Sequence, residues 1–136
     1  MDKLIGSWEC HQSYEVEGDL FFESSYKVIF TKGQDEIVQA GKIKLSDSSI
    51  PTKTSQLSYT IKGKITFIDE NSTITQPINI DAQKIEDDLG IITDQFMQDF
   101  LNNKKEYKAV TKFIGSNNLK SLFDDGNVVE CVRIEL

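Results

Sequence analysis

The chain has 136 residues, the length of one domain with its own core, and 38% of them are apolar, which reads as folded rather than disordered. Twenty-two acidic residues against fifteen basic ones give a net charge of −7, which argues against nucleic acid and anionic membrane surfaces, since both demand a basic face. No apolar run nears the roughly 20 residues of a membrane-spanning helix, so no membrane span is expected.

The first stretch, MDKLIGSWEC, lacks an apolar h-region and a small-residue cleavage site, so no signal peptide is expected in the sequence as it stands. It opens a strand that carries Trp8 and Cys10 on one face and His11 on the other. After the turn Glu17-Gly18-Asp19, residues 20–31 alternate: Leu20, Phe22, Tyr26, Val28 and Phe30 oppose Glu23, Ser25, Lys27 and Thr31. Lys32-Gly33-Gln34-Asp35 is a second turn, and residues 37–46 set Ile37, Gly41, Ile43 and Leu45 against Lys42 and Lys44. A longer polar loop, SDSSIPTKTS, leads into the clearest strand, in which Leu57, Tyr59, Ile61, Gly63, Ile65 and Phe67 share a face. Asn71-Ser72-Thr73 matches the glycosylation pattern but reads better as a bend.

Residues 72–83 follow, with Ile74, Ile78 and Ile80 as the expected inner face. The period then changes. In IITDQFMQDFLNN, Ile92, Phe96, Met97, Phe100 and Leu101 recur at helical spacing, which predicts an amphipathic helix over about 92–103 with Thr93 as its N-cap. Strands return at 105–115 (Tyr107, Ala109, Thr111, Phe113), at 118–124, and after the turn Asp124-Asp125-Gly126-Asn127 in VECVR. About eight strands joined by short turns predict a mainly β fold: a single antiparallel up-and-down barrel over residues 1–136, with one helix inserted late.

The two ends hold the rarest residues: the lone Trp and one Cys in GSWEC, the lone Arg and the other Cys in VECVR. Antiparallel partners keep a constant sum of residue numbers, and the pairs Cys10–Cys131 and Trp8–Arg133 share one sum. A single register therefore sets both pairs face to face and on the same face of the sheet. That register allows a disulfide and a cation–π contact at the seam. A bridge closing about 120 residues is worth up to about 4–5 kcal/mol in the chain-entropy model. Two cysteines in a cytosolic protein are ordinarily free thiols. A bridge therefore points to a periplasmic or secreted protein whose leader is absent from this sequence, and free thiols to a cytoplasmic one. Val128, Val132 and Ile134 occupy the other face of the last strand, which leaves its inward side open.

Gly6-Ser7-Trp8 resembles the G-x-W signature of lipocalins and related calycins, and Arg133 resembles the arginine that packs across that tryptophan. More broadly, the G-S-W-E-C start, the late helix and the FDDGNVVECVR ending resemble a bacterial lipocalin-like family of small, mostly uncharacterised barrels. That resemblance implies a lipocalin-like (calycin-type) barrel and assigns no ligand. Ordinary lipocalins carry their helix after the eighth strand, and fatty-acid-binding relatives carry a lid between the first two, so ligand residues from neither group transfer.

No motif marks catalysis. Cys10 and His11 point to opposite faces, which defeats a Cys–His pair, and one His with two committed Cys cannot build a zinc site. Glu86-Asp87-Asp88 and Asp124-Asp125 lack calcium-loop spacing and read as solvated turns. No cofactor, metal or enzymatic activity is expected. Phe22, Tyr26, Phe30, Tyr59, Phe67, Tyr107 and Phe113 are the aromatics expected inside the barrel, with Phe96, Met97 and Phe100 of the helix over one mouth. Tyr14, Tyr59 and Gln39 are candidate orienting polar groups, and Gly41 and Gly63 candidate sources of space. These residues either pack a dry core or line a pocket for a small apolar or amphipathic ligand. The first case suits a protein-interaction module, such as an inhibitor or envelope accessory factor whose acidic surface steers it to a protein partner; the second suits a ligand-binding protein.

Overall fold

A computed structural model describes residues 2–15, 18–31 and 35–135, with backbone alone for Asp2, Tyr14, Glu15 and Glu135. The expected turn at Lys32–Gln34 and the Tyr14 side chain lie outside the described residues, and the Glu17 turn does so in part. Alternating apolar residues close eight antiparallel strands into a barrel in sequence order: β1 (Gly6–Glu15), β2 (Leu20–Phe30), β3 (Glu36–Asp47), β4 (Thr54–Phe67), β5 (Ser72–Asp87), β6 (Tyr107–Ile114), β7 (Asn118–Phe123) and β8 (Val128–Glu135). Helix α1 (Asp94–Asn102) enters between β5 and β6, a little shorter than expected. Every neighbour along the chain is a neighbour in the sheet, and β1 closes on β8.

The closure has the register read from the two ends. Cys10 faces Cys131 and Trp8 faces Arg133, and the cysteines form a disulfide. Arg133 lays its guanidinium over the indole, 4.2 Å from the ring centroid. It also donates hydrogen bonds to the carbonyls of Lys3, Ile5 and Ser116, while Trp8 Nε1 donates to Leu4 O at 2.9 Å. These bonds hold a 3-10 turn, Asp2–Leu4, against one end of the barrel. Trp8, fully buried, packs there with Val28, Ile37, Ile65, Leu119 and Val129. This is the closed end. Val128, Val132 and Ile134 face outward and are about half exposed, which settles the facing of β8.

The wall is uneven. Strands β2 to β5 run 11, 12, 14 and 16 residues, while β6 to β8 run 8, 6 and 8. β5 pairs with β6 only from Ser72 to Thr75, so its upper length has no strand neighbour on that side and takes α1 instead. Similarly, β1 beyond His11 pairs with β2 alone. The barrel is therefore tall on one side, low on the other, and open at the end away from Trp8.

The expected inner face of β5 is corrected. Thr73, Thr75 and Pro77 are buried, and Ile78 is 41% exposed. Opposite the step from Lys62 to Gly63, β5 moves from Asn79 to Pro77, so Ile78 is an extra residue in a bulge. Only beyond it do Ile80, opposite Ile61, and Ala82, opposite Tyr59, turn inward. The two interior glycines do not leave space either. A Cβ at Gly63 would strike the Gln76 carbonyl of that bulge, and one at Gly41 would strike Ser25 O and the Tyr26 side chain. Each marks a place where neighbouring backbone comes close.

The seam carries the first prediction. The bridge spans a sequence separation of 121, so the Cys10→Ala, Cys131→Ala variant is expected to lose up to about 4 kcal/mol of stability. Denaturant unfolding with and without reductant measures it. The wild-type protein in reductant should fall to the variant's stability, and the variant should not respond.

Candidate functional site

Two spaces lie inside the barrel. The one at the closed end, among Trp8, Cys10, Val28 and Cys131, is about 50 Å³, room for a water or two. The other, about 380 Å³, starts at mid-height and opens at the low side of the wall. Its inner walls come from β2 (Phe22, Ser24, Tyr26), β3 (Gln39, Ile43), β4 (Tyr59, Ile61) and β6–β7 (Tyr107, Phe123). Phe100 of α1 covers part of it, and Lys105, Glu106, Asp124, Asp125 and Asn127 stand at the mouth.

Four of the seven aromatics expected to line a pocket do so: Phe22, Tyr26, Tyr59 and Tyr107. Phe30, Phe67 and Phe113 sit at the closed end, Phe113 with its ring centroid 6.4 Å from that of Trp8. They face inward as expected, but at the wrong height. Phe96 packs beside Met97 on the cluster of Ile43, Leu45, Leu57, Tyr59 and Ile92 and does not line the cavity. Phe100, one helical turn on, reaches it and meets Tyr59 edge-to-face with centroids 5.8 Å apart. The sequence reading missed Phe123 as a lining residue. His11 points outward, its Nδ1 2.8 Å from Ser25 Oγ. Among the described residues no group of His, Cys, Asp or Glu is placed to hold a metal.

Polar groups of the cavity centre on tyrosine. Gln39 Nε2 donates to Tyr59 Oη at 3.3 Å, and Ser24 Oγ lies 3.4 Å from the same oxygen. Burial pushes the phenols of Tyr26, Tyr59 and Tyr107 above their ordinary value of 10.0. For Tyr26 the nearness of Tyr107 and Tyr59 adds to the effect, while hydrogen bonds partly offset it for Tyr59 and Tyr107. The cavity thus holds three neutral phenols, with Tyr107 braced edge-to-face by Phe123 at 5.5 Å.

The helix is fastened at both ends. Burial opposes ionisation of Asp87, but the Ser55 hydroxyl (2.7 Å), the Ile92 and Ile91 N–H groups (3.1 and 2.9 Å) and the Lys84 charge outweigh it and hold the carboxyl below its usual range. Glu86 accepts from Thr54 and Gln56. These two acids are therefore structural pins rather than members of a solvated turn. Ile92, 2% exposed, is set into the core by the Asp87 bonds, and Thr93 caps α1 by accepting from Phe96 N at 3.1 Å. At the far end Gln76 Nε2 donates to Lys104 O, tying the segment after the helix to β5.

Two outcomes are expected. Asp87→Ala should speed amide exchange across 91–102 by roughly tenfold, the scale of one lost charge-assisted hydrogen bond, and leave β1–β2 amides protected. Because the folded state depresses this carboxyl, wild-type protection there is present above the ordinary carboxylate range and lost as pH falls through the folded value. The three phenols behave in the opposite sense: they are neutral in the fold and ionise more easily once unfolded. Their stabilising contribution is intact below pH about 10 and lost as pH rises beyond it. Absorbance titration should show Tyr26, Tyr59 and Tyr107 ionising only with alkaline unfolding.

No family model matches the chain, and no curated protein matches it. Among solved structures it is similar to a redesigned beta barrel, mFAP1, bound to DFHBI, at 10% identity over 97% of this chain and 95% of that one, with a TM-score of 0.42. Nothing is carried over from so distant a likeness.

Proposed function

We propose that the protein is a non-enzymatic carrier that holds a small amphipathic molecule in the 380 Å³ cavity beneath α1. The observation that carries this reading is the contrast between the two ends of the interior. The closed end is packed to about 50 Å³, while the open end keeps a ligand-sized space lined by rings and a few polar groups. The apolar body of the ligand lies against Phe22, Ile43, Ile61 and Phe100, and a polar group meets Ser24, Gln39 and the tyrosine hydroxyls. The disulfide supports an oxidising compartment, periplasmic or extracellular.

A protein-interaction role is supported by a different surface. Val110, Leu122 and Val128 stand opposite one another across β6–β7–β8, outward and each about half exposed. The two readings separate by experiment. N-phenyl-1-naphthylamine, an uncharged amphipathic dye, is expected to brighten and saturate at one per chain. Gln39→Trp, which fills the cavity, should weaken it by roughly tenfold or more, given the apolar contact denied to the dye. Dye affinity unchanged by Gln39→Trp, with the variant folded by circular dichroism, counts against the cavity.

A further inference from the structure

The mouth of the cavity has a sign. Three carboxylates, Glu106, Asp124 and Asp125, stand there against one ammonium, Lys105. Two of them lie in the β7–β8 turn and are hydrogen-bonded: Asp125 accepts from the Asn127 backbone N–H and side-chain amide, both at 2.9 Å, and Asp124 accepts from Lys108 N of β6 at 3.4 Å. Deeper in, the lining residues include no basic side chain. They present instead the rings of Tyr26, Tyr59 and Tyr107, kept neutral by burial, whose faces are the negative side of an aromatic quadrupole. The Tyr26 hydroxyl makes no hydrogen bond among the described residues and is available to a guest. The Gln39 amide, which donates to Tyr59 through its nitrogen, keeps its oxygen as an acceptor.

We infer that the cavity takes a cationic amphiphile, an amine or quaternary ammonium with a short apolar body. This rests on the ligand-binding reading above and adds the charge of the ligand to it. A cationic head among the three tyrosines has neutral π-systems and the Tyr26 hydroxyl oxygen to meet, and on its way in it passes the carboxylates of the mouth. An anionic head has Lys105 alone to offset those three groups. The net charge of −7 acts in the same direction at longer range.

The test is calorimetric titration of the full chain with decyltrimethylammonium, decanol and decanoate, each below its critical micelle concentration. The expected result is that the cation binds at least tenfold tighter than decanoate, and that this ratio shrinks as salt rises and screens the mouth. Glu106→Gln combined with Asp124→Asn should narrow the ratio as well, and the salt series on the unaltered protein decides the matter if that variant does not fold. Decanol binding with decanoate equal to or tighter than the cation overturns the charge preference and leaves the carrier reading standing. Binding by none of the three overturns both.

Discussion

The seam between β1 and β8 is the contact on which the rest of the structure depends. An open eight-stranded meander would expose two sheet edges and leave Trp8 half wet; closing it pairs both edges and buries the indole completely. One register brings the disulfide and the Trp8–Arg133 stack together. Because side chains alternate, a slip of one residue at this seam would put Cys131 and Arg133 on the opposite face from Cys10 and Trp8 and lose both contacts at once. Arg133 then extends the seam by donating to the carbonyls of Lys3 in the 3-10 turn, of Ile5 just after it, and of Ser116 between β6 and β7. The packed end is thus built from the two ends of the chain, and the cavity lies where those contacts stop.

The cavity follows from strand length. Tall strands β2–β5 and short strands β6–β8 cannot enclose the same height, and the four-residue pairing of β5 with β6 leaves a gap that a helix, rather than another strand, fills. A nine-residue helix with no fully buried side chain is a light cover, held by Asp87 before it and Gln76 after it. A cover held so lightly costs less to open locally than the barrel below it.

Alternation along the chain made the strands, their order and the inward rings legible, and the rare residues at the two ends made the closing register legible. Height was not. Phe67 and Tyr59 lie on the same face of β4, yet one is at the closed end and the other in the cavity, because level within a barrel depends on stagger accumulated strand by strand. The bulge at Ile78 was hidden for a related reason: an isoleucine-rich run gives no sign of where one residue is set aside from the pairing. Asp87 looked like part of an acidic turn because its partner Ser55 is distant in the sequence and comes opposite only through the β4–β5 pairing.

The pairing of Ser7 with Glu135 has one more consequence. The first and last strands run out side by side beneath Trp8, at the pole opposite the opening. Anything joined there, whether a solid support, a fluorescent label or a neighbouring domain, would sit under the sealed floor. The cavity mouth would then face away from the attachment, so a tether at this pole of the barrel leaves the mouth unobstructed.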